Sequence, residues 1–191
     1  MKAKAFIFLV VFSAVVQANA ATIQFDLMGT SGTGLLGGNQ FPAVAGGGSG
    51  GEIGAGILFN DVTLVLTINT GWGSGNGFTD LTGTATAGHL HGPTTDGGTA
   101  SFTENAGVKY SLDSLAGWNP SLSSGGFLGS VTILGSDVPA LLNGQIYMNV
   151  HTPINGGGEI RGNLIVVPEP SVAALAALGA LGLLLCRRLR A

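Results

Sequence analysis

Apolar and polar residues alternate from residue 22 to 27, with Ile23, Phe25 and Leu27 on one side, which is the period of a half-buried strand. Residues 29–51 are glycine-rich and aperiodic and read as a loop or mobile linker. Two apolar runs, 54–59 and 62–69, flank Asn60-Asp61 as a hairpin turn would, and in the second run Val62, Leu64, Leu66 and Ile68 share a face. Residues 71–77 form a further loop holding Trp72. Residues 81–91 read as a strand ending at Gly92-Pro93, and 99–104 and 108–113 as short strands. Loop is expected over 117–126 and a short strand over 131–134. Ser136 as cap, Pro139 in the first turn and Asn143-Gly144 as a stop predict a short helix over 136–143. Residues 145–151 and 159–166 predict a final hairpin around a glycine loop. Many short strands with turn signals predict an all-β fold, an antiparallel β-sandwich or a Greek-key, barrel-like form. Leu64, Leu66, Leu90, Met148, Val150 and Ile160 are its expected core.

Both ends break this pattern. Residues 1–20 carry Lys2 and Lys4, an apolar run and Ala18-Asn19-Ala20, the order of a helical secretory signal cut after Ala20. The competing reading is an uncleaved anchor. Residues 171–186 are uncharged and rich in Ala and Leu, so they predict a transmembrane helix of roughly 24 Å. Arg187, Arg188 and Arg190 would stay cytoplasmic. Pro168, Glu169 and Pro170 precede this run and leave an extended, protease-accessible segment. Pro-Glu-Pro, one apolar helix and a basic tail together resemble the PEP-CTERM sorting signal of Gram-negative bacteria, over residues 167–191. That resemblance implies export through the Sec translocon and an inner-membrane intermediate held by the C-terminal helix. It further implies recognition by an exosortase-type membrane protease and release to the cell surface or extracellular matrix, where exopolysaccharide is a partner. A plain type I membrane anchor is the alternative.

Charge separates the ends from the middle. The whole chain is at −3, but residues 21–167 hold nine acidic residues against Lys109 and Arg161 alone, a net −7. Such a surface repels nucleic acid and anionic lipid, and no nucleic-acid partner is expected. The single cysteine, Cys186, lies in the C-terminal apolar run, so the exported part has no disulfide. Glycine is abundant, 34 residues, without the three-residue period of collagen, which fits short strands joined by glycine turns.

Candidate chemistry gathers on the histidines. His89 and His91 are two apart on a strand and point to one face. Tyr147, Asn149 and His151 share a face of the penultimate strand, and Glu159 and Arg161 share a face of the last. If His151 pairs roughly with Glu159, Asn149 pairs roughly with Arg161, and one surface carries all four. Such a cluster can be a polar network that pins the hairpin to its neighbour. It can also be a metal site, in which His89, His91 and His151 suit Zn²⁺ or Cu²⁺, with Glu159 as fourth ligand or supporting partner. No other cofactor is expected. Asp61, Asp80 and Asp96 sit in polar loops without EF-hand spacing and read as solvated turn residues rather than Ca²⁺ ligands. There is no Gly-x-Ser-x-Gly elbow, Walker loop or His-Glu-x-x-His.

HLHGP at 89–93, YMNVHT at 147–152 and GGEIRGNL at 157–164 resemble, in this order, the CHRD domain, a family named after chordin and widespread in bacterial exported proteins. The resemblance spans roughly 52–166, with 117–135 longer and looser, and implies an all-β extracellular domain. The expected organisation is a signal peptide, 1–20; an N-terminal strand and glycine-rich segment, 21–51; a CHRD-like domain, 52–166; and a sorting signal, 167–191. The expected function is a non-enzymatic structural, adhesive or binding role at the cell surface or in the matrix. The alternative is a metal-binding protein or oxidoreductase using the three histidines.

Overall fold

The computed structural model describes residues 21–168. The expected signal helix (1–20), Glu169, Pro170, the expected membrane helix and Arg187, Arg188 and Arg190 lie outside the described residues. Among the described residues no helix is long and apolar enough to cross a membrane.

Among the described residues eleven strands form one antiparallel sheet: β1 (Thr22–Gly29), β2 (Gly32–Thr33), β3 (Leu35–Leu36), β4 (Ser49–Asn60), β5 (Val65–Trp72), β6 (Ala87–His91), β7 (Val108–Ser111), β8 (Trp118–Ser121), β9 (Ser124–Thr132), β10 (Tyr147–His151) and β11 (Ile160–Val166). The order is β7-β6-β10-β11-β1-β4-β5-β9-β8, with β2 on β1 and β3 bridging β11 and β4. The sheet folds over on itself. Thr70 of β5 reaches Met148 of β10, with hydroxyl and sulfur 3.8 Å apart. Gly88 of β6 faces Trp118 of β8 so closely that a Cβ there would enter the indole. Trp118 in turn packs on Trp72 with ring centroids 5.2 Å apart. The result is all-β and sandwich-like, built from a single curled sheet.

The core follows the alternation. Phe25 and Leu27 of β1, Leu66 and Ile68 of β5, Leu90 of β6, Met148 and Val150 of β10 and Ile160 of β11 are all fully buried. Each removes a large apolar side chain from water, about 1.5–3 kcal/mol apiece. Leu64 departs from the expected core face. It sits in the turn before β5 at φ 57° and is only partly buried, while Val62 is 70% exposed. The reason is local: Asn60 Oδ1 accepts from Val62 N and Thr63 N, which closes a four-residue turn and starts the strand three residues late.

Several other boundaries move. Residues 99–104, expected as strand, lie largely in a 3₁₀ helix, Gly98–Thr103. The strand expected over 81–91 covers only β6. The loop expected over 117–126 is instead the β8–β9 hairpin, and the strand expected over 131–134 is the end of β9. Here glycines allow close backbone pairing with β5 without adding an apolar period to read. The short helix, α1 (Val138–Leu142), follows a 3₁₀ turn, and the residue at its cap is Asp137 rather than Ser136. The segment 29–51 is no linker: Asn39 is buried and donates to Gly32 O and Gly34 O while accepting from Ser31 N. β1 lies in mid-sheet, between β11 and β4, so 21–51 and 52–166 share one sheet.

Candidate functional site

β6, β10 and β11 present two buried faces. The inner one is the apolar core. The outer one carries His89, His91, Tyr147, Asn149, His151, Arg161 and Asn163, and loops from residues 37–48, 98–106 and 152–158 pack over it. Register sets these residues side by side: His91 pairs with Tyr147, His89 with Asn149, and Asn149 with Arg161. Because β-strand side chains alternate, residues two apart fall on this one face.

The histidines converge. One ring nitrogen from each of His89, His91 and His151 lies within 4.8 Å of the other two. His89 Nδ1 is 3.1 Å from His151 Nε2. The remaining nitrogens are engaged elsewhere. His91 Nδ1 donates to Ala106 O at 3.0 Å, His151 Nδ1 donates to Gly156 O at 3.0 Å, and His89 Nε2 lies 3.4 Å from Asp113 Oδ1. The two carbonyl contacts fix the tautomers of His91 and His151 with the lone pair on Nε2, because a nitrogen that donates to an oxygen leaves the lone pair on the other nitrogen. His89 Nδ1–H can then donate to His151 Nε2, which leaves Asp113 Oδ1 without a partner. His91 Nε2 is buried with no hydrogen-bond partner. Burial pushes the His91 imidazolium pKa down to about 4, with the neighbouring His151, His89 and Arg161 adding to the effect against the Ala106 hydrogen bond. Burial also lowers His89, and His151 adds to this while Asp113 opposes it. Both rings are therefore neutral near pH 7, the state that binds metal.

Arg161 supports this arrangement from below. It is fully buried, and Nη1 donates to Glu104 O, Nη2 to Ser101 O and Nε to Asn163 Oδ1. Its guanidinium lies over the Tyr147 ring, whose other side stacks on His91 at 4.9 Å and 7°. The Tyr147 hydroxyl donates to Ala106 O and accepts from Ala106 N. Arg161 and Tyr147 thus hold the loop whose carbonyl orients His91.

Glu159 faces away from this cluster. Its carboxylate accepts from Gly48 N, Thr82 N, the Thr82 and Thr152 hydroxyls and Asn155 Nδ2, which leaves no free lone pair for a metal. Burial alone would raise its pKa, but these bonds outweigh it and hold the group below its usual value. Asn149 accepts from Gln40 Nε2 and donates to Gly157 O. Gly158 there has φ +119°, and a Cβ would strike the Asn149 amide, so only glycine fits. Pro168 is exposed at the end of the described chain. Asp61 and Asp80 accept from the backbone of Ala21 and Ser74, as turn residues do, and Asp96 lies in a separate loop.

Asp113, Ala106 and Gly156, which orient the three imidazoles, carry no sequence signal. Two of them act through backbone carbonyls, which any residue supplies, and Asp113 follows a short edge strand without periodicity.

A curled all-β domain with a loop-covered polar face defines the class of protein. A family model for the CHRD domain matches residues 32–164, more than half of the chain, and the chain belongs to that family. The match begins well before residue 52, within the segment that supplies β2 and β3. The CHRD domain is typical of extracellular proteins. No curated protein and no solved structure matches the chain.

Proposed function

We propose that this extracellular-type domain binds one divalent transition ion, Zn²⁺ or Cu²⁺, through His89 Nδ1, His91 Nε2 and His151 Nε2. The observation that carries the reading is the convergence of one nitrogen from each ring, all within 4.8 Å of one another. The Nε2 lone pairs of His91 and His151 share one space with His89 Nδ1, and each imidazole's other nitrogen faces an oxygen, the usual support of a metal-bound histidine. Purely structural bracing accounts for this set poorly. It leaves His91 Nε2 and Asp113 Oδ1 both buried without a hydrogen-bond partner. A cation resolves both. Metal–nitrogen bonds are about 2.0–2.1 Å long, so small ring rotations close the set, and the three protein ligands leave a fourth position for water or another ligand.

The test uses chelator-stripped protein titrated with Zn²⁺ or Cu²⁺. One equivalent should bind and raise the melting temperature of the wild type but not of His91→Ala. If neither ion shifts the wild type, while His91→Ala costs about 1–3 kcal/mol with or without chelator, the cluster is a brace.

The destination belongs to the same proposal. Its support is the CHRD membership together with the sequence at residues 1–20 and 167–191. We take the chain to be exported by the Sec route, retained briefly in the inner membrane and cut near Pro168–Pro170 by an exosortase-type protease. It then acts at the cell surface or in a polysaccharide-rich matrix in a structural or adhesive role. Mass spectrometry of the mature protein should find neither Lys2 nor Arg190. Mature protein retained in membranes with Arg187, Arg188 and Arg190 present would leave only an anchored form.

A further inference from the structure

Beside the histidines, with His91 itself in the lining, a cleft of about 470 Å³ opens to solvent between the loops that cover the polar face. Its size falls in the range of small-ligand sites. We propose that it binds a few residues of an uncharged polysaccharide. This goes beyond the metal reading and does not rest on it.

The lining chemistry selects the ligand. Gln40, Asn105, Asn149 and Asn155 bring four carboxamides to the cleft, and no Lys, Arg, Asp or Glu lines it. Carboxamides present donors and acceptors side by side, matching sugar hydroxyls, which are both. The protein holds these amides: Gln40 Nε2 donates to Asn149 Oδ1, Asn149 Nδ2 to Gly157 O, Asn105 Nδ2 to Phe41 O and Asn155 Nδ2 to Glu159 Oε2, while Asn105 Oδ1 accepts from Arg161 Nη1. Gln40 Oε1 accepts from no described residue, although Gln40 is itself buried at 7% exposure. The polar groups are thus oriented before a ligand arrives, which lowers the ordering cost of binding.

An apolar platform stands at the rim. Phe41 is 49% exposed, and it is the only aromatic side chain among the exposed large hydrophobics of the described residues. Its carbonyl is pinned by Asn105 while its ring remains in solvent. Ile154 lines the same cleft at 71% exposure. A pyranose offers apolar C–H faces as well as hydroxyls, so stacking on Phe41 would bury surface that now meets water. The net −7 of residues 21–167 disfavours uronic acids, phosphates and other anions, and the lack of a lining carboxylate gives cations no anchor. Neutral sugar satisfies every side of this chemistry.

The test is calorimetric titration of the purified full chain with neutral tetrasaccharides of glucose and of mannose, and with a uronic-acid tetramer and an extended neutral peptide as comparators. A neutral tetrasaccharide should bind with Kd of about 0.1–1 mM. Phe41→Ala should weaken it about tenfold or more without moving the melting temperature or the metal titration. Neither His89 nor its polar partners His151 and Asp113 line the cleft, so His89→Ala should abolish metal uptake yet keep saccharide affinity within about threefold. That pair of variants separates failure of this proposal from failure of the metal reading. The proposal is overturned if no neutral saccharide binds at about 10 mM, if Phe41→Ala binds as the wild type does, or if the uronic acid or the peptide binds in preference.

Discussion

The guanidinium of Arg161 lies 3.6 Å above the ring centroid of Tyr147, and the opposite face of that ring stacks on His91. A fully buried arginine is thereby joined to the histidine cluster through one aromatic ring, and to the covering loop through the carbonyls of Ser101 and Glu104. Replacing Arg161 by Met leaves both carbonyls unpaired and frees the loop. The expected cost is about 2–4 kcal/mol of stability, read from the urea midpoint. Arg161→Lys should recover little of it, because an ammonium cannot reproduce the planar fork of donors.

Asp113 faces His89 Nε2 at 3.4 Å. Asp113→Ala removes the acceptor that holds this tautomer. Metal affinity should fall about 10–100-fold, measured by competition with a chelating dye, while the metal-free melting temperature changes little. Unchanged affinity would show that Asp113 does not orient the ring.

Metal-free protein should weaken in mild acid. Unfolded His91 takes up a proton near pH 6.5, whereas the folded group stays neutral down to about 4. Between these values the unfolded state binds more protons, so stability declines as pH falls and levels off below the folded value. The loss from this one buried group is roughly 3 kcal/mol. Urea unfolding across that window should show the decline, and His91→Gln should flatten it.

Glu159 acts at lower pH, by a shift in the same direction but from the opposite cause, since here the charged form is the one the fold stabilises. Its folded pKa is held below the usual 4.5, so its contribution is complete above that value and disappears as pH falls through the folded one. Glu159→Gln should cost about 1–3 kcal/mol at neutral pH, since one face of the amide now meets donors. It should also remove this part of the acid sensitivity, leaving metal affinity nearly unchanged because Glu159 faces away from the histidines.

Much of the sheet was legible along the chain. The period-two pattern marks Phe25, Leu27, Leu66, Leu90, Met148 and Ile160 as inward-facing, and all are fully buried. The same period places His89 and His91 on one face. The pairing of Asn149 with Arg161 is the one expected if His151 lies opposite Glu159, and the strands do take that register. These are local properties: alternation is set by backbone geometry and needs no distant partner. The β8–β9 hairpin was not legible, because glycines and serines pair there without an apolar alternation, and neither was the 3₁₀ turn at 98–103. Only the fold placed His151 beside His89 across 62 residues, buried Arg161 under the loop carrying Ala106, and turned Glu159 away to hold Gly48 and Thr82. The reason is physical. Which face is covered, and which nitrogen keeps its lone pair, depends on backbone carbonyls brought in by loops, and a carbonyl leaves no mark in the residue code.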